Sequence, residues 1–260
     1  MVDLNLDLNL DLPAGHRLVS FAARPDLNSS ISAHNVGIWQ PFMLEDEVAN
    51  RHFGTAFERW PEFQLILLDG AGAIVAVGNA MPLWWDGSDA GLPDGWDDQV
   101  LRSVADLEAG RAPNTLGAML IVVTPELRGG GFAGTMLQAF RAAAARAGFG
   151  AVIACVRPTE KERYPLTPIE RYAAWTRPDG LPFDAWIRLH VRLGGRIVRA
   201  APRSMQMRGS VADWEGWTGL TFPDDGPYVV PTATSPIVID HARDEGVYFD
   251  ENVWLVHDLA

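Results

Sequence analysis

The sequence of 260 residues predicts an α/β fold built as one domain with insertions. Three observations lead there. Residues 115–156 read strand, glycine-rich loop, long helix, strand; residues 64–82 read as a hairpin; and 48% apolar with 21% charged residues supports one sizeable core. The domain is expected over 13–260, with 1–12 as a tail or an edge strand.

Taken in order, DLNLDLNLDL alternates perfectly but uses Asp and Asn, poor strand formers. HRLVSFAARP reads as a first strand, and residues 46–60 have helical spacing after an acidic start. QLILLDGAGAIVAVGNAMP gives a strand to about Leu68, a DGAG turn and a strand from about Ile74. LWWDGSDAGLPDGWDD is turn-rich, acidic and tryptophan-rich, a surface loop over apolar surface, and a short helix follows near 97–109. TLGAMLIVV is a strand, the helix after the glycines runs to about Ala147, and AVIACV is the next strand. PTEKERYPLTPIERYAAWTRPDGLP holds turns and one helix. FDAWIRLHVRLGG is a helix capped by Asp184 and stopped by glycine, and RIVRAA is a strand. From Arg203 the pattern predicts an irregular chain closing on one strand, NVWLVHDL.

The net charge is −12 and no Lys/Arg cluster offers a basic face, which argues against nucleic acid as a partner. No apolar run approaches the ~20 residues of a membrane span, and the start carries acids where a secretory signal carries bases. The expectation is a cytoplasmic protein with no membrane partner. One cysteine, Cys155, precludes an internal disulfide framework and reads as a buried, inert thiol. His241 and His257 lack ligand partners at metal spacing, so no metal site is expected.

The stretch ELRGGGFAGTML, Glu126 to Leu137, carries the chemistry. Amides freed by glycines at a helix start, with the helix dipole behind them, favour a phosphate. Gly129, Gly131 and Gly134 match G-x-G-x-x-G, but Thr124 to Arg128 separate them from the strand. The acid of a dinucleotide fold is also missing around Ala154–Val156. A P-loop needs Lys-Ser/Thr after the last glycine, and Thr135-Met136 stands there. A glycine turn that merely lets helix and strand pack closely is the bland alternative.

VTPELRGGGFAG resembles the pyrophosphate-binding motif of the GNAT superfamily of acyl-CoA-dependent acetyltransferases, Arg/Gln-x-x-Gly-x-Gly/Ala. Arg128, Gly131 and Ala133 fill it, and Val123 and Pro125 match the preceding V-x-P. The resemblance implies a mixed, largely antiparallel central sheet flanked by helices, here with extra aromatic-rich loops. It implies that Arg128 and the backbone of Gly129, Gly130, Gly131, Phe132, Ala133 and Gly134 bind the pyrophosphate of acetyl-CoA or another acyl-CoA. The edge of Met119 to Val123 would follow the pantetheine arm, with an amide near Val122 and Val123 stabilising the carbonyl oxygen.

Leu189-His190-Val191-Arg192-Leu193-Gly194-Gly195 is similar to the Leu-Tyr-x-x-Leu-Gly-Phe pattern of that family. His190 therefore stands where many members carry the tyrosine that protonates the leaving thiolate, and a histidine can supply that proton. An ordinary helix histidine is the alternative. Arg157 and Thr159, after the strand AVIACV, would face the acyl end; Thr159 reads equally as a cap for the turn at Glu160. Glu126, Asp97 and Asp98 are weak candidates for the base and read as solvated acids. The implied function is transfer of an acetyl or short acyl group from coenzyme A to a small-molecule amine by direct attack. An acyl-CoA decarboxylase or S-acyltransferase like the GNAT-like domains of polyketide loading modules is the nearest alternative. A non-catalytic acyl-CoA-binding module is the next. An open sheet with apolar loops permits a homodimer.

Overall fold

The computed structural model describes residue 10 and residues 12–259. Its first half runs β1 (Arg17–Ser20), α1 (Asn28–Asn35), α2 (Glu47–His52), α3 (Gly54–Arg59), β2 (Leu65–Leu68), β3 (Ile74–Leu83), α4 (Trp96–Glu108) and β4 (Thr115–Val123). Then follow α5 (Phe132–Arg146), β5 (Ala151–Val156), α6 (Ile169–Ala173), α7 (Ala185–Arg192), β6 (Arg196–Gly209), α8 (Val211–Thr218), β7 (Gly226–Tyr228), β8 (Ile237–Asp240) and β9 (Glu245–Asp258). Most of the tail expected over 1–12 lies outside the described residues; Leu10 and Leu12 pack half-buried against the core.

The hairpin forms as its turn residues dictate. The Asp69 carboxylate accepts from the N–H of Ala71 and of Ala73 (2.9 and 2.8 Å), and β2 pairs with β3 antiparallel. The sheet order is β1-β2-β3-β4-β5-β9-β8-β7, with β6 also on β9. The β4–β5 pair is parallel and the other strand pairs are antiparallel. The parallel pair needs a crossover, which α5 provides. On one face α5 sets Met136, Phe140 and Ala143 against Leu65, Leu67, Val152 and Leu255. On the other, Trp96 and Val100 of α4 pack with Met81, Ile153 and Trp254. Each such side chain, fully buried, contributes about 1.5–3 kcal/mol.

The structure departs from the sequence expectation in five places. The segment 46–60 is two short helices broken at Phe53, with Asp46 capping the first by accepting from Ala49 N–H (2.7 Å). α1 was not anticipated. The loop before α4 is partly core: Trp85, Leu92 and Trp96 are buried and only Trp84 stays out. RIVRAA continues as the 14-residue β6, whose register shifts between Ala201 and Met205. Pro202 lies in that irregularity, where a missing N–H is tolerated. Past it, Ser210 and Asp213 form a capping box on α8, and the closing strand is the 14-residue β9.

Candidate active site

β4 and β5 stay paired only as far as Ala118↔Ala154. Met119 is an extra residue in β4, since Ala80 faces Ala118 and Asn79 faces Leu120. Beyond this bulge, Leu120 to Val123 pair with β3 on one side and with no strand on the other. A cavity of about 580 Å³ opens along that free edge. Of the residues singled out from the sequence, it brings together Val122, Val123, Arg128, Ala133, Thr159 and His190. Gly129, Gly130, Gly131, Phe132 and Gly134 are not part of its wall.

Those five residues sit at the cavity's mouth. Gly129 and Gly131 have φ of +84° and +86°, a left-handed conformation that favours glycine. Gly131 precedes α5 as its N-cap without a side-chain cap, and Thr135 N–H is the first to reach a carbonyl, that of Gly131 (3.2 Å). The N–H groups of Gly129, Gly131, Phe132, Ala133 and Gly134 thus find no acceptor among the described residues. The Phe132 ring lies against His16 (centroids 5.3 Å), so this residue offers its backbone. Gly134 is buried facing Leu189 and Leu193 of α7. Free amides, a helix N-terminus and an exposed Arg128 with no ion pair among the described residues form a set of donors of the kind that suits an anion. Glu126 is exposed on the 3-10 turn Pro125–Leu127.

At the other end His190 projects from α7, buried, with Trp186 edge-on (centroids 4.5 Å). His190 Nδ1 lies 2.9 Å from His257 Nε2, a distance at which one ring must donate its N–H to the other. His190 Nε2 is buried without a partner. Burial first, and then His257, pull His190 down to about 3; burial pulls His257 down to about 4, against the Leu193 carbonyl. The expectation that this histidine titrates near neutrality is therefore corrected: both rings are neutral there. His257, which the sequence offered only as a histidine without metal partners, is the other half of this contact. Its partner stands 67 residues away on another element, and no local pattern announces it. Gly195 makes the room, because a Cβ there would meet His257 Cε1 at 2.7 Å.

Asp184 organises this end. Its Oδ1 accepts from Trp186 N–H and Ile187 N–H (2.9 and 3.1 Å) and caps α7. Its Oδ2 accepts from Glu160 N–H (2.9 Å), Tyr172 OH (3.0 Å) and the Thr159 hydroxyl (3.5 Å). Thr159 does not cap the turn at Lys161–Arg163, which has no side-chain cap; it leans on the carboxylate that also starts the helix of His190. Arg157 pairs with buried Asp250 (3.0 Å), which also accepts from Thr234 Oγ1 (2.9 Å); both line the cavity, and Asp250 carried no sequence signal. Cys155 contacts Ser204 Oγ at 3.2 Å, and burial pushes its thiol up to about 12, so it supplies no nucleophile.

Asp98 pairs with Arg102 (2.8 Å), but Asp97 is not a solvated acid. Burial, then the Asp46 carboxyl, push Asp97 up to about 8, and burial raises Asp46 as well. Asp46 Oδ2 and Asp97 Oδ1 find no other partner, so the pair holds a proton at neutral pH. Among the described residues no group of three or more His, Cys, Asp or Glu could hold a metal, and no helix is long and apolar enough to cross a membrane.

A largely antiparallel sheet opening at its parallel pair, with a glycine loop at the mouth, is the architecture of acyl-CoA-using GNAT domains. No family model matches the chain. It is 30% identical to the arginine N-acetyltransferase avaD of Aspergillus versicolor, over 99% of each chain. In fold it is similar to the loading GNATL domain of CurA from Lyngbya majuscula, with TM-score 0.58, 16% identity and coverage of 94% of this chain and 98% of that one. The GphF GNAT-like decarboxylase in complex with isobutyryl-CoA gives TM-score 0.58, 19% identity and coverage of 94% and 100%. The chain belongs to the GNAT superfamily.

Proposed function

We propose that the protein is an acyl-CoA-dependent N-acyltransferase that moves an acetyl or short acyl group to the nitrogen of a small molecule. The observation that carries this reading is the edge of β4 that has no strand beside it among the described residues, which lies in one cavity with Arg128 and Ala133 of the glycine loop and with His190. End-to-end similarity to a protein named as an N-acetyltransferase supports it.

In this reading Arg128 and the loop amides hold the pyrophosphate, the β4 edge hydrogen-bonds the pantetheine arm, and an amide near Val122 or Val123 receives the carbonyl oxygen. The amine attacks the thioester directly. We take His190 Nδ1–H to donate to His257 Nε2, the tautomer that leaves the lone pair on the partnerless His190 Nε2. That lone pair takes a proton from the nitrogen as the C–N bond forms and returns it to sulfur as the C–S bond breaks. The nitrogen reacts as the free base, its cationic proton having gone to solvent beforehand, so the cycle itself leaves no proton over and forms no acyl-enzyme.

The test follows free thiol from acetyl-CoA with and without a panel of amines, and CO2 from malonyl-CoA without them. Thiol release that depends on amine is the expected result. CO2 without amine would replace this reading by the decarboxylase one, and tight CoA binding with neither would leave a binding module.

A further inference from the structure

A second cavity, of about 470 Å³, meets the first at the β4 bulge. Trp39, Trp96, Met119, Leu120 and Met205 line both, and the Trp96 indole is fixed by donating to the Met119 carbonyl (3.0 Å). One cavity opens towards the glycine loop; the other opens between α1 and α2. Direct attack needs two molecules approaching one carbon from separate sides, and this arrangement provides the two routes.

The second cavity is apolar. Val36, Met43, Leu44 and Phe53 join the shared wall, and among the described residues no Asp, Glu, Lys, Arg or His lines it. Its polar side chains are mostly satisfied: Ser32 Oγ donates to Asn28 O (3.1 Å) and Asn50 Nδ2 donates to Leu44 O (2.8 Å). Asn35 Oδ1 is buried and unpartnered, an acceptor waiting for an N–H. At the mouth Val36 and Leu44 are 78% and 56% exposed, apolar surface of the kind that marks a binding site. The volume falls in the range of small-molecule pockets, about 300–1,000 Å³.

We infer that the acceptor is an amine or guanidine carried on an uncharged, aromatic or bulky aliphatic body, and that a free carboxylate beside the reacting nitrogen is excluded. This rests on the N-acyltransferase reading. A carboxylate taken into this lining loses its hydration and meets no cation to replace it. An aromatic body gains by leaving water, and its N–H is received by Asn35. The reacting nitrogen is then the one charge the acceptor brings, which suits a surface of net charge −12.

The experiment compares kcat/KM with acetyl-CoA for matched acceptors: tryptamine against tryptophan, and Nα-benzoyl-arginine amide against free arginine. The carboxylate-free, aromatic-bodied member of every pair that is acylated is expected to lead its partner tenfold or more, and acylation of none of the four overturns the inference. Leu44→Arg, at an exposed position that leaves the core intact, should narrow that ratio severalfold by giving the carboxylate a partner. Acylation that favours tryptophan or free arginine overturns the inference and leaves the N-acyltransferase reading standing. Thiol release from acetyl-CoA with no amine at all in the panel would remove both.

Discussion

A histidine that stays neutral serves as a proton carrier only if its ring is aimed, and His257 does the aiming. It is not itself part of the cavity wall, so in the proposed mechanism it is a positioning residue, holding His190 by the 2.9 Å contact. Replacing His190 with Phe should lower kcat by about 10²–10⁴-fold, the usual worth of a positioned acid–base group, with little change in the Kd for CoA measured by calorimetry. For His257→Gln the pH profile of kcat is the telling readout. His190 must be neutral to accept a proton, so activity is lost as pH falls through its pKa. His257 is one of the two groups holding that pKa at about 3, and its removal should move the acid limb to higher pH. A limb that stays put while only thermal stability falls would make His257 a structural residue. Only one half of the pair was legible from the chain: Leu189-His190 matched a family pattern that suggested a proton role for His190, whereas its partner is written 67 residues on.

At the scale of elements, β4, β5 and the β2–β3 hairpin follow from period-2 runs bounded by turn residues, and α5 follows from the glycines that precede it. Gly131→Ala forces a side chain into a φ of +86°, at a cost of about 1–2 kcal/mol, and should weaken CoA binding while sparing the acceptor's KM. The elements around the acid pair are less transparent, because Asp46 at the start of α2 and Asp97 in the first turn of α4 are brought together only by packing. Their proton makes stability pH-dependent. Asp97's folded pKa of about 8 lies above its ordinary 3.8, so this stabilisation is complete below about pH 4 and is lost as pH rises through 8. Asp97→Asn should flatten the fall in Tm between pH 6 and 9; each kcal/mol so recovered is worth about 2–4 °C in a thermal melt. An unchanged slope would mean the proton is not shared there.

The whole molecule adds a second layer to the common sheet. β9 runs between β5 and β6 at its far end and between β8 and β6 at its near end, so one strand carries both Asp250 and His257. The half of the sheet before Ala200 could be read because each strand is bounded by turns and backed by a periodic helix. The half after it could not: β6 crosses a proline, its register slips, and its partner lies some fifty residues downstream. Past Arg203 only the closing strand NVWLVHDL was read, and the Ser210-Val211-Ala212-Asp213 box was a local sign of order passed over. Among the described residues, the partition of Trp39, Trp96, Met119, Leu120 and Met205 is common ground for both chambers. Whatever stills those side chains from one direction alters the surface met from the other. Thermodynamic reciprocity then requires that each co-substrate change the affinity of its companion by the same factor, so the strength of that coupling becomes a property of five side chains.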